Sequence, residues 1–111
     1  MNKKSIIVSI LVLSIIGCVT GNKFQKVGIE NIAQSQTLTL IADNKLVHGL
    51  EVYIEGHLDD TAKIGTTFIG PGNVKIPIHS GDYYVDTFRV FYDPYRAREG
   101  VLTVKYCYMT N

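Results

Sequence analysis

The sequence predicts an all-β domain, a small antiparallel β-sandwich, with a small β-barrel as the alternative architecture. Three observations carry that expectation. Apolar and polar residues alternate over residues 49–55 and 101–109, the period of a strand with one buried and one wet face. Turn-forming clusters of Gly, Pro, Asp and Asn separate such runs, marking six or seven short strands in about ninety residues. No long stretch carries a helical period.

Taken in order, the chain opens on a leader. Lys3 and Lys4 precede an apolar run over residues 6–16, which ends at Gly17 and Cys18. A membrane-spanning helix takes roughly twenty residues, so this run is too short to be one. Positive charge, a greasy segment and a small residue before the cut are the parts of an export signal. Ile15-Ile16-Gly17-Cys18 resembles the lipobox of bacterial lipoproteins. The resemblance implies that residues 1–17 are removed and that Cys18 becomes a lipidated first residue. Two or three acyl chains then hold the protein at a membrane, because stable anchoring takes more than one. The expected location is the cell envelope. Val19 after the cysteine, rather than Asp, points to the outer membrane where the host has one.

Residues 18–36 are expected to be the lipidated cysteine and a tether, with a short strand around residues 24–29. Residues 37–111 are expected to form the sandwich. Residues 37–42 alternate threonine with leucine and stop at Asp43-Asn44. In residues 49–55, Leu50, Val52 and Ile54 share one face, and Glu51, Tyr53 and Glu55 the other. Residues 61–69, rich in β-branched side chains, read as one strand after the Asp59-Asp60 turn. Gly70-Pro71-Gly72-Asn73 is a strong turn. Residues 74–78 follow as a short strand whose Pro77, lacking a ladder donor, belongs at an edge or an end.

His79-Ser80-Gly81-Asp82 reads as another turn, and residues 83–92 as a long strand. Two phases compete within it. Either Tyr84, Phe88 and Val90 face the core with Asp86 beside them, or Tyr83, Val85 and Phe91 do and Asp86 is wet. The second is preferred, since a buried carboxylate needs hydrogen-bond partners. Residues 93–100 place Asp93 as an N-cap, Pro94 at the first helical position and Gly100 as a stop, which predicts one helical turn. In the last strand Leu102, Val104, Tyr106 and Tyr108 share a face, with Thr103, Lys105 and Cys107 opposite. This stretch, from Tyr92-Asp93-Pro94 to Tyr106-Cys107-Tyr108, resembles the end of an immunoglobulin-like domain. A second core cysteine and a tryptophan are missing from that pattern, and the resemblance implies a sandwich and no activity.

Without Lys3 and Lys4 the eleven basic residues fall to nine, against ten acidic ones. Nucleic acid is therefore not an expected partner, because its binding rests on neutralising many phosphates. The two cysteines give a fork. Lipid on the sulfur of Cys18 leaves Cys107 without a mate in the same chain, whereas a free Cys18 permits a Cys18–Cys107 bridge in an oxidising compartment. Cys107 is expected to be a buried thiol.

Chemistry-bearing patterns are sparse. Glu55, His57 and Asp59 would share a strand face and could hold a divalent cation, but a solvated strand end running into a turn explains them as well. His79, Ser80 and Asp82 are sequence neighbours, which rarely orient as a catalytic triad. There is no Gly-x-Ser-x-Gly elbow or usable phosphate loop. No catalytic residue, metal or cofactor is expected. Six of the seven tyrosines fall in the last third of the chain, with Arg89, Arg96 and Arg98 among them. Tyr and Arg are enriched at binding hot spots, and Tyr95, Arg96 and Arg98 lie in a loop rather than a core strand. They are the expected partner-binding residues. The chain thus reads as a lipid-anchored envelope binding or structural module without catalytic activity, facing an envelope protein or glycan. The alternative is a membrane-anchored inhibitor or phage-exclusion factor acting on an envelope protein.

Overall fold

The computed structural model describes residues 24–43 and 46–110. The leader, the lipobox-like stretch and Cys18 lie outside them. The described residues form β1 (Gln25–Gly28), β2 (Gln36–Ile41), β3 (Val47–Leu58), β4 (Ala62–Ile64), β5 (Thr67–Ile69), β6 (Gly72–Asp82), β7 (Thr87–Asp93) and β8 (Gly100–Thr110). Among them there is no helix. Two antiparallel sheets result, sheet A in the order β1-β8-β3-β6 and sheet B in the order β2-β7-β4-β5. Both remain open, so the architecture is the sandwich and not the barrel.

The chain changes sheet at every connection except the β4–β5 hairpin. That habit buries the alternating faces against each other. Leu50, Val52 and Ile54 of β3 and Leu102 and Val104 of β8 pack in one core with Leu40, Ala62, Ile64, Val90 and Tyr92 of sheet B. Each large aliphatic side chain taken from water contributes about 1.5–3 kcal/mol, and this core is the main source of stability. Buried tyrosines add polar ties. The Tyr92 hydroxyl donates to the Ile32 carbonyl at 2.6 Å, and Tyr108 donates to the Leu40 carbonyl at 2.5 Å. Tyr83 reaches the Thr87 carbonyl, and Tyr106 the Gln25 side chain. These four rings serve the fold, each with an apolar body inside and its hydroxyl satisfied.

Several elements depart from the sequence reading. The short strand expected around residues 24–29 is β1 of sheet A, but the span read as a tether also buries Ile29 and Ile32 in the core. Residues 61–69 are a hairpin rather than one strand, because Gly65 turns the chain at φ +59°. The strand read at 74–78 extends to Asp82, absorbing the expected turn at 79–82. Pro77 does sit on an edge strand, next to a register break opposite Val52 and Tyr53. The preferred phase of residues 83–92 is overturned. Phe88, Val90 and Tyr92 face inward, while Val85 and Phe91 are more than half exposed. Asp86 lies before β7, where its carbonyl accepts from the Ala42 N–H and its carboxylate from the Thr87 hydroxyl, so it never enters the core.

Residues 93–100 do not form the expected helical turn. Tyr95 takes a left-handed conformation at φ +51°, which no α-helix tolerates. The Asp93 carboxylate accepts the Tyr95 N–H at 2.9 Å, and the Ala97 N–H donates to the Pro94 carbonyl, closing a tight turn instead. The same Asp-Pro pattern suits either structure locally.

Candidate functional site

The site grows from two crossings that run side by side. Residues 59–61 carry the chain from β3 to β4, and residues 94–99 carry it from β7 back to β8. Asp59 stitches them together. One of its carboxylate oxygens accepts the N–H groups of Arg98 at 2.9 Å and Glu99 at 3.1 Å. Its own N–H donates to the Glu99 carbonyl, and the Arg96 N–H donates to the Thr61 carbonyl. Ala97 is fully buried beneath the turn. Donation from Arg98 first, then from Glu99, holds the Asp59 carboxyl below its ordinary 3.8.

The latch holds up an aromatic ridge. Tyr95 and Phe68 are both about half exposed and meet edge to face, with ring centres 5.3 Å apart. The Lys63 ammonium stands 5.3 Å from the centre of Phe68, and the Arg96 guanidinium 5.4 Å from that of Tyr95. Lys63 lies opposite Asp93 in the β4–β7 register and opposite Phe68 in the β4–β5 register, so the outer face of sheet B leads into the loop. A bulky residue at positive φ outside glycine costs about 1–2 kcal/mol. Such strain clusters at binding and catalytic sites, where the surroundings hold it in place.

The three residues expected to bind a partner therefore differ in what they present. Tyr95 and Arg96 project from the loop as a stacked pair. Arg98 turns back, its guanidinium donating to the carbonyls of Ala97 at 2.7 Å and Tyr95 at 3.4 Å. Phe68 and Lys63 belong to the ridge and escaped the sequence reading. Only the turn at Gly65-Thr66 reverses the chain and sets Phe68 facing out, and that dipeptide was the available signal.

The other constellation comes apart. Glu55 forms an ion pair with Lys105 on the outer face of sheet A, and Asp59 is occupied by the loop. Among the described residues no group of three His, Cys, Asp or Glu side chains is spaced to hold a metal ion. His79, Ser80 and Asp82 all lie on β6, with the Ser80 hydroxyl donating to Glu51 rather than to its neighbours.

Cys107 projects from the outer face of sheet A, opposite Glu51, yet is only 1% exposed. It is disulfide-bonded, which corrects the expectation of a thiol. Its partner is not among the described residues, where Cys107 is the only cysteine. No family model, curated protein or solved structure matches the chain.

Removing the latch tests this construction. Asp59→Ala should speed amide exchange at Arg98 and Glu99 at neutral pH, while exchange in β3 stays slow. In the wild type the same release should come only in acid. A carboxyl lowered in the folded state supports it above its ordinary value and loses that support as pH falls through the lowered one.

Proposed function

We propose that this chain is an exported envelope module that binds a protein partner and catalyses no reaction, with lipid on Cys18 anchoring it wherever that sulfur is not the partner in the Cys107 disulfide. The leader and the lipobox-like Cys18 support export and anchoring. The observation that carries binding is the ridge of Lys63, Phe68, Tyr95 and Arg96, raised on a loop that the Asp59 latch holds rigid. A preorganised loop loses less entropy on binding, and aromatic–cation pairs are typical anchors. A protein surface fits better than a glycan. Each ring already carries a cation over one face and meets the other ring edge to face, which leaves less open face for a sugar to stack on than two free rings would.

The test is Tyr95→Gly. Glycine accepts positive φ without strain, so the unfolding midpoint should hold or rise, while an envelope partner that co-purifies with the wild type is lost. Retention of every partner by Tyr95→Gly and Arg96→Ala overturns the reading. The rigidity of the loop also favours a second reading, an inhibitor or exclusion factor. Suppression by the purified protein of the activity of its captured partner, or of phage adsorption, selects that one.

The disulfide at Cys107 favours a different reading of the attachment alone. Cys18 is the only other cysteine of the chain, and a sulfur takes a thioether or a disulfide, never both. A bridge closed within one chain therefore gives a soluble exported domain. Either form belongs outside a reducing cytosol. An intact mass starting at Cys18 plus acyl chains supports the anchor. An unlipidated mass, two hydrogens light and restored by reductant, replaces it with the staple.

A further inference from the structure

Four strands lie at sheet edges: β1 and β6 in sheet A, β2 and β5 in sheet B. An open edge is a row of unpaired N–H and C=O groups that another strand can take up. Natural sheets blunt such edges with shortness, lysine, proline or a bulge. Three of the four edges here carry these devices. β1 is four residues long and contains Lys26, and β5 is three residues long. β6 is long but contains Lys75, Pro77 and the register break.

β2 carries none. Residues 35–42 read Ser-Gln-Thr-Leu-Thr-Leu-Ile-Ala, without a charge, a proline or a glycine. The strand pairs with β7 in unbroken register from Gln36 opposite Tyr92 to Ile41 opposite Thr87. The Ala42 N–H donates to the Asp86 carbonyl at 2.8 Å, which fixes the alternation. Leu38 and Leu40 direct their backbone groups at β7, and Thr37, Thr39 and Ile41 direct theirs at the open side. Among the described residues no backbone hydrogen bond reaches those outward groups. Their side chains are exposed, Ile41 by 57%.

We propose that β2 pairs, antiparallel and about a two-fold axis, with β2 of a second copy of this chain. The occupant follows from the composition of the edge. A strand that pairs with itself sets each charge near its own copy, and of the three edges longer than three residues this is the one with no charge to repel. Centred on Thr39, the pairing sets Thr39 against its mate, Thr37 against Ile41 and Leu38 against Leu40. β-Branched residues meet across the outer face, a favourable cross-strand arrangement. On the inner face Leu38, half-buried in one copy, gains the partner's Leu40 as a neighbour. The two copies of sheet B become one continuous sheet with β5 at both ends, and the short β5 stops it there. The contact is isologous and closes as a dimer.

Sedimentation of the purified full chain over a range of concentrations tests this. The wild type should sediment at twice the mass of one chain. Thr39→Glu should weaken the dimer at least tenfold, because two carboxylates then meet at the two-fold axis, with no loss in the unfolding midpoint of the monomer, since Thr39 is exposed and stands opposite Arg89 of β7. Thr39→Pro should do the same, because the lost N–H points outward and serves no bond to β7. A wild type that stays monomeric throughout overturns the proposal. So does a dimer that survives both substitutions.

Discussion

Gly56→Ala should cost the fold about 3–5 kcal/mol, a large part of the 5–15 kcal/mol that holds a typical domain together. Gly56 sits in β3 at φ +148°, a conformation that L side chains rarely adopt. A Cβ there would lie 1.9 Å from the Val101 carbonyl oxygen in β8. Backbone cannot swing aside as a flexible side chain can, so the strands themselves must part. Gly100 repeats the arrangement from the other strand, with a Cβ that would fall 2.2 Å from the His57 carbonyl. The two glycines let β3 and β8 approach closely just where both leave for the crossings that carry the aromatic ridge. Urea unfolding checks the expectation, with Gly65→Ala as the comparison. At Gly65 φ is also positive, but a Cβ meets nothing within 4 Å, so only the conformational cost of about 1–2 kcal/mol remains. Equal losses at the two positions would mean that β3 and β8 do not approach this closely. Gly56→Ala should also lose the partner together with stability, where Tyr95→Gly loses the partner alone.

What the sequence makes legible is the part of the fold with one wet face. In β3 from Leu50 to Glu55 and in β8 from Leu102 to Tyr106 apolar and polar residues alternate, so Leu50, Val52, Ile54, Leu102 and Val104 declare their side, although Val101 and Cys107 further along β8 are apolar on the outer face. In β7 the period fails as a guide, because Phe91 is apolar and stands on the solvent side, next to Val90 in the core. An exposed aromatic is indistinguishable from a buried one until its neighbours are known. Hydrophobic pattern therefore erred at a residue on the outer face of sheet B, the face that leads to the candidate site. The latch was illegible for a different reason. Asp59 reads locally as one of two turn aspartates, and its partners Arg98 and Glu99 lie 39 and 40 residues away. Only the antiparallel pairing of β3 with β8 brings the two crossings together. Tyr95 and Arg96 could be picked out because a loop after Asp93-Pro94 was visible. The folding-back of Arg98 could not, since it depends on the left-handed turn that replaced the expected helical one.

Raising the pH from 9 to 12 should cost about 2–3 kcal/mol of stability through Tyr108 alone. Burial first, and then the neighbouring Tyr83, Tyr106 and Asp86, push its hydroxyl up to about 12 from the ordinary 10.0. The folded state thus favours the neutral phenol. That preference contributes fully below pH 10 and is lost as pH rises through the folded value. Burial raises Tyr92 and Tyr106 in the same direction, so the wild-type loss should exceed the share of Tyr108. Urea midpoints at pH 8, 10 and 11.5 measure it. Tyr108→Phe separates the share of one residue. Phenylalanine forfeits the hydrogen bond to the Leu40 carbonyl, costing about 0.5–1.5 kcal/mol at neutral pH. Above pH 10 it should then fall less steeply than the wild type, and the two curves should converge or cross. Parallel curves would assign the alkaline loss to other groups. Convergence would place it at the contact between β8 and β2, where a phenolate can no longer donate and sheet A loses a polar tie to sheet B. Because β2 is also the edge proposed to pair with a second copy, the dimer should weaken over the same pH interval.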